Sequence, residues 1–173
     1  MRLLVTGGAG FIGANFVRWL LGRCPEGKVV ERLVVLDALT YAGNLANLEG
    51  LEGDPRYLFV RGNICDSALV ESLVRKENIT AIANFAAETH VDRSIVDPLA
   101  FVKTNVEGTQ VLLGAALTAK VQRYVQISTD EVSGSIAEGS FTEESLLNPR
   151  NPYAASKAGG DRLAYAYWAT YGV

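Results

Sequence analysis

The sequence predicts an α/β fold, a doubly wound parallel sheet with helices on both faces. Three observations predict it. Short, unbroken apolar runs alternate with longer helix-like stretches, as strands buried on both faces do. The first run passes straight into a glycine-rich turn and a helix. The chain has 173 residues, 49% hydrophobic and 20% charged, which suits one globular unit and excludes a disordered chain.

The elements follow in order. Arg2–Thr6 reads as a buried strand. Phe11–Leu21 reads as a helix, with Phe11, Ile12, Val17, Leu20 and Leu21 apolar. Arg32–Asp37 and Tyr57–Arg61 are the second and third strands. Ser67–Lys76 is a helix that Ser67 is expected to N-cap. Ala81–Phe85 is the fourth strand, Phe101–Ala119 a long helix and Arg123–Ser128 the fifth strand. Pro152 suits the first turn of a last helix running to about Tyr171, and Gly172 suits its end. Tyr165, Tyr167, Trp168 and Tyr171 crowd that helix and read as core or dimer contacts. No repeat, low-complexity tract or linker divides the chain.

Charge and composition exclude several function classes. Sixteen basic and 19 acidic residues give a net charge of −3, so the footprint of a nucleic-acid binder is absent. No apolar run approaches the roughly 18 residues of a membrane span. Leu3, Leu4 and Val5 stop at Thr6-Gly7-Gly8, too short for a signal-peptide core, so a cytoplasmic location is expected. Cys24 and Cys65 fit no metal-ligand spacing and read as reduced thiols. With one histidine, His90, a multi-histidine metal site is excluded and no metal is expected; His90 itself reads as structural. Asn78-Ile79-Thr80 matches the glycosylation pattern by chance, in the absence of a secretion signal.

Two patterns carry chemistry. Thr6-Gly7-Gly8-Ala9-Gly10-Phe11-Ile12-Gly13 lies between the first strand and first helix. Its G-x-G-x-x-G glycines allow a tight turn, close approach of a pyrophosphate and helix–strand packing. The helix start then offers free N–H groups to phosphates. Asp37 ends the second strand, where an acidic side chain accepts hydrogen bonds from an adenosine ribose and repels a 2′-phosphate, favouring NAD over NADP. The alternative for Asp37 is a turn cap. The second pattern is Tyr153-Ala154-Ala155-Ser156-Lys157. Its i, i+4 spacing puts phenol and ammonium on one helix face, and the ammonium is expected to lower the phenol's pKa and make it a usable base.

With these motifs in this order, the sequence resembles the extended short-chain dehydrogenase/reductase family, whose members act mostly on nucleotide-activated sugars. The resemblance implies an NAD-binding Rossmann domain over residues 1–173, with the usual smaller substrate domain missing and the chain truncated relative to the family. It makes Thr129 the hydroxyl that orients the sugar's C4 oxygen, Tyr153 the base at that oxygen, and Lys157 a partner of both Tyr153 and the cofactor ribose. Further motifs resemble the dTDP-glucose 4,6-dehydratase branch: Ser128-Thr129-Asp130-Glu131-Val132, Leu39-Thr40-Tyr41-Ala42-Gly43-Asn44, Ala86-Ala87-Glu88-Thr89-His90-Val91-Asp92-Arg93-Ser94 and Thr104-Asn105-Val106-Glu107-Gly108-Thr109.

By that resemblance the reaction is dehydration of dTDP-glucose to the 4-keto-6-deoxy sugar. Glu131 removes the C5 proton and Asp130 protonates the departing C6 hydroxyl. Environment and mutual repulsion can split two adjacent carboxyls into one acid and one base. Gly7, Gly10, Phe11, Ile12, Gly13, Asp37, Ala38, Leu39, Thr40, Asn63, Ile64, Phe85, Ala86, Ala87, Thr104, Tyr153 and Lys157 would surround NAD. Phe85, Ala86 and Ala87 read equally as core. Glu88, Thr89 and Thr129 would meet the substrate. Asn63, Asn84 and Ser133 depart from the family's usual Asp, His and Tyr. The resemblance also implies a homodimer in the full-length form. Two alternatives stay open: another nucleotide-sugar epimerase, dehydratase or decarboxylase, and a non-catalytic NAD-binding fragment that needs a partner.

Overall fold

The computed structural model describes residues 1–23 and 29–173; Cys24, read from the sequence as a reduced thiol, lies outside them. Strands β1 (Arg2–Thr6), β2 (Arg32–Asp37), β3 (Tyr57–Arg61), β4 (Ala81–Asn84) and β5 (Arg123–Gln126) form one sheet in the order β3-β2-β1-β4-β5. Every pairing is parallel. The chain builds outward from β1 to β3, then crosses back to place β4 on the other side of β1. This reversal makes the β1/β4 boundary the switch point of a doubly wound sheet.

Helices cover both faces, which is why the strands are apolar without alternation. Leu3, Val5, Leu33, Val35 and Ala83 pack against Ala14, Val17 and Leu20 of helix α1 (Phe11–Arg23). The intervening residues Leu4, Val34, Leu36 and Ile82 meet Val70 and Val74 of α2 (Ser67–Lys76), and Leu112 and Ala116 of α5 (Thr109–Thr118). Between β4 and α5 lie two short helices, α3 (Val91–Val96) and α4 (Pro98–Val102), and a π-helical segment, Lys103–Gly108. The last helix, α6 (Pro152–Tyr171), packs across the π segment and α5. Short 3-10 turns at Leu45–Leu48 and Asp130–Ser133 complete the described elements.

Several boundaries differ from those expected. Helix α1 runs on to Arg23, past Leu21. Asp66, not Ser67, caps α2, its carboxylate accepting from the Leu69 N–H at 3.0 Å. Strand β4 stops before Phe85, although the Phe85 N–H still reaches the Thr6 carbonyl at 3.1 Å. Strand β5 stops at Gln126 because the chain turns into the site. The long helix expected over Phe101–Ala119 runs without a break from Pro98 to Thr118, but its Lys103–Gly108 stretch is wound as a π-helix. There the Thr109 hydroxyl donates to the Asn105 carbonyl at 2.8 Å, a side-chain bond of the kind that bends helices. Of the α6 aromatics, Tyr165, Trp168 and Tyr171 are more than half exposed and not core, while Tyr167 is half-buried and bonded to Gln110. No helix among the described residues is long and apolar enough to cross a membrane.

Away from the glycine turn, a buried charge ties elements together. Arg56 is 8% exposed and donates to both carboxylate oxygens of Asp54, with its closest contact at 2.6 Å. It also donates to the Leu21 carbonyl at 3.1 Å, at the end of α1. Arg56 therefore joins the start of β3 to the last turn of α1, whose carbonyls lack intrahelical donors.

Candidate active site

All five strands end on one side of the sheet, and a cleft of about 430 Å³ opens there across the switch point. Its floor is the glycine turn. Gly7 has φ +64°, and a Cβ on it would lie 2.6 Å from the Ala86 nitrogen. A Cβ on Gly13 would lie 2.3 Å from the Gly7 carbonyl oxygen. No side chain fits at either position, so β1, α1 and the end of β4 close to backbone distance. Phe11, Ile12 and Gly13 then open the first turn of α1, where N–H groups have no intrahelical acceptor.

Asp37 takes up its turn-cap reading, and it does so at the edge of the cleft. It is 8% exposed. Its Oδ2 accepts from the Ala9 N–H at 2.9 Å and its Oδ1 from the Leu39 N–H at 2.8 Å. It thus caps the turn that holds the cleft, and it lines the cleft as well. Each oxygen keeps lone-pair capacity for another donor. Of the cofactor residues expected from sequence, all line the cleft except Leu39. The Asp37 cap turns the Leu39 backbone to φ +53°, and its side chain packs on the core beside α1. Ala42, Gly43, Gly62, Ile127 and Ser128 also line the cleft, unforeseen. Phe85 does double duty, lining the cleft and packing 5.2 Å from the Phe16 ring.

Tyr153 and Lys157 project from α6 at the far wall. Tyr153 is 9% exposed and stands edge-on to Phe101, with ring centroids 6.3 Å apart. Lys157 donates from Nζ to the Ile127 carbonyl at 2.5 Å. Burial raises the Tyr153 phenol above its ordinary pKa; the hydrogen bond with Thr129 pulls it down, while Glu131, Asp130 and Tyr41 push it up. This corrects the sequence expectation of a lowered phenol. Desolvation outweighs any help from the Lys157 ammonium, and two nearby carboxylates oppose the phenolate. Burial also lowers the Lys157 ammonium, with Asp161 acting against that shift.

Thr129, Asp130 and Glu131 stand outside the cleft lining and join it through Tyr153. Thr129 N-caps the 3-10 turn, accepting from the Glu131 N–H at 3.4 Å and donating to Asp130 Oδ1 at 3.3 Å. Glu131 Oε2 accepts from Asn151 Nδ2 at 2.8 Å. The same Asn151 N-caps α6, taking the Ala154 N–H on its Oδ1 at 2.7 Å. One amide thus fixes Glu131 relative to the helix that carries Tyr153. Among the described residues, no group of three His, Cys, Asp or Glu could hold a metal.

Two further residues emerge only in three dimensions. Asn105, in the π segment, brackets Glu88: its Oδ1 accepts from the Glu88 N–H at 2.9 Å and its Nδ2 donates to the Glu88 carbonyl at 3.0 Å. Its Nδ2 also donates to Ser156 Oγ at 2.8 Å, next to Lys157. Tyr41 reaches from the loop after β2 to the loop before α3. Its hydroxyl accepts from the Thr89 N–H at 3.4 Å, and Arg93 lies 3.9 Å over its ring. His90 sits beside that ring, exposed and without a side-chain cap bond. Asn151 had a sequence signal, an Asn before Pro at a helix start. Asn105 and Tyr41 had only their place in quoted motifs.

Comparison with known proteins places this geometry. A family model described as GDP-mannose 4,6 dehydratase matches residues 4–173. A dTDP-glucose 4,6-dehydratase of Actinoplanes sp. is 52% identical over 174 residues, covering 100% of this chain and 54% of the relative. The low-salt glycan biosynthesis protein Agl12 of Haloferax volcanii is 54% identical over 171 residues, covering 99% and 53%. The crystal structure of DesIV, a dTDP-glucose 4,6-dehydratase of Streptomyces venezuelae solved with NAD bound, superposes with a TM-score of 0.95 at 55% identity. It covers 100% of this chain and 53% of that one. The chain spans about half the length of the curated relatives it matches.

Proposed function

The chain belongs to the GDP-mannose 4,6 dehydratase family, and on that premise we propose that it is the cofactor-binding and catalytic part of an NAD-dependent dTDP-glucose 4,6-dehydratase. The residues present fit the cofactor. Gly7 and Gly13 let the turn close on protein backbone, and Gly10 between them lines the cleft at the start of α1, where a pyrophosphate can approach the backbone. Asp37, with spare lone pairs beside the cleft, suits a ribose diol. Residues 1–173 make up the cofactor domain in this reading. When bound, NAD would supply reversible hydride transfer between C4 and C6 of the sugar.

The observation that carries the proposal is the Thr129-Asp130-Glu131 turn, set beside the Tyr153 phenol and pinned by Asn151 to the helix that carries it. Thr129 orients the C4 hydroxyl and Tyr153 takes its proton. Lys157 holds the ribose of the cofactor. The C4 ketone so formed acidifies the proton on C5, and Glu131 removes it. Asp130 gives a proton to the C6 hydroxyl, which leaves as water. When hydride returns to C6, Glu131 gives its proton back to C5 and the proton taken by Tyr153 replaces the one Asp130 gave up, so the net change is loss of one water with no net oxidation. Glu88 and Thr89, held against the cleft by Asn105 and Tyr41, serve as sugar contacts. In the full-length protein, the exposed Tyr165 and Trp168 of α6 suit a homodimer face. The free Cys65 thiol suits the reducing cytoplasm.

The test is mass spectrometry of dTDP-glucose incubated with the purified chain and NAD. The expected product is lighter by one water, with no NADH accumulating. Unchanged dTDP-glucose, or turnover of UDP-glucose in its place, overturns the proposal. The half-length span supports a second reading, an NAD-binding fragment that needs a partner. NAD binding by calorimetry without any dehydration would favour it.

A further inference from the structure

Helix α6 meets the end of β5 in three steps. Tyr153, Lys157 and Asp161 are spaced i, i+4, i+8 and share one helix face. Opposite them lie three consecutive residues. Thr129 lies beside Tyr153, the Ile127 carbonyl accepts from Lys157 at 2.5 Å, and the Ser128 hydroxyl donates to Asp161 Oδ2. The first two steps belong to the reaction proposed above. The third has no part in it, yet Ser128 lines the same cleft.

The geometry points to Asp161 as a positioning residue: its carboxylate fastens Ser128, and through it the β5 tip, to α6, and supplies the counter-charge to the Lys157 ammonium. This deepens the reading of the cleft as an NAD site and rests on it. The tip carries both the carbonyl that orients Lys157 and the hydroxyl that meets Tyr153, so a slip there would misplace both. The charge matters because burial drives Lys157 toward its neutral form, and Asp161 opposes that. Asp161 in turn is raised by burial and held down by Ser128, Lys157 and the adjacent Arg162. Other nearby charges act elsewhere. Lys103 and Glu107, on the π segment against α6, act on Cys65. Asp130 and Glu131 act on Tyr153.

The test reads Lys157 directly. The chain has five lysines, Lys28, Lys76, Lys103, Lys120 and Lys157, so their 13Cε signals can be followed with pH, and Lys157→Arg assigns the one that matters. Asp161→Asn keeps an acceptor for Ser128 and removes the charge. Lys157 should then titrate at lower pH than in the parent, and Asp161→Glu should restore it. In the parent itself, the Lys157 signal should carry a small second inflection where Asp161 takes up its proton. An unmoved Lys157 titration in a folded Asp161→Asn chain overturns the proposal. So does a parent signal flat through the acidic range, even if the variant does not fold. Calorimetric NAD affinity, measured alongside, should weaken in Asp161→Asn at alkaline pH. A parent that binds no NAD overturns the cofactor reading while leaving the lysine titration intact, so the two failures are distinguishable.

Discussion

Glu131 shows how one side chain serves two ends of the site. It is the residue proposed to take the C5 proton, and its charge is one cause of the raised Tyr153 phenol. Glu131→Gln should therefore do two things. Loss of water from the sugar should slow by about 10²–10⁴-fold, the usual worth of a positioned base, while oxidation at C4 persists. Tyr153 should titrate at lower pH, since a like charge has been removed. Dehydration at the parental rate, followed by mass spectrometry, would refute the role of Glu131. An unmoved Tyr153 titration, followed by ultraviolet difference absorbance, would refute the coupling. Glu131 was singled out by the family resemblance, while the Tyr153–Lys157 pairing on one helix face was legible as sequence spacing. The direction of the Tyr153 shift was not, because spacing shows the i+4 ammonium but neither the burial nor the carboxylates that a distant loop brings back. The same limit explains Asn105, whose partners Glu88 and Ser156 are 17 and 51 positions away.

At the level of elements, sequence pattern located the central strands because β1, β2 and β4 are short apolar runs buried along nearly their whole length, and α2 and α6 because each begins at a cap. It located the long helix but not its change of winding, where side chains compete with the backbone in the π segment. A segment that carries an extra residue per turn has no periodic signature in so apolar a helix. The link between α1 and β3 was also invisible, since Arg56 and Asp54 look like ordinary loop charges. Arg56 holds the Asp54 carboxyl below its ordinary pKa, chiefly through their side-chain hydrogen bond. A depressed carboxyl stabilises the fold above the unfolded value of about 3.9, and that contribution is lost as pH falls through the lower, folded value. Asp54→Asn should thus unfold at lower urea concentration than the parent near neutral pH. The difference, about 2 kcal/mol for hydrogen bonds to a charged group, should close as pH drops below the ordinary aspartate range. A gap that stays constant across that range would rule the ion pair out as its source.

On the scale of the molecule, the sheet has bare margins. Strand β5 pairs only with β4, and Val125, 46% exposed, stands on the α1 side of the sheet. Tyr124 beside it points to the covered face, packed with α2 and α5. An unpaired strand with an exposed apolar side chain is a template for association. Val125→Lys should lower self-association in sedimentation velocity at high concentration, with unfolding free energy unchanged within about 0.5 kcal/mol. Equal self-association in parent and variant would place the contact elsewhere. The strand order has a consequence for how the chain comes together. The Thr6 hydroxyl bonds Asn84 at 2.5 Å, across 78 positions of sequence. β1 can pair with β2 early, but the cleft has only one wall until β4 docks, and closing so long a loop is slow. During synthesis the pocket must therefore appear late, after Asn84 has emerged, and affinity for the proposed cofactor would then be a clock for the docking of the second half of the sheet.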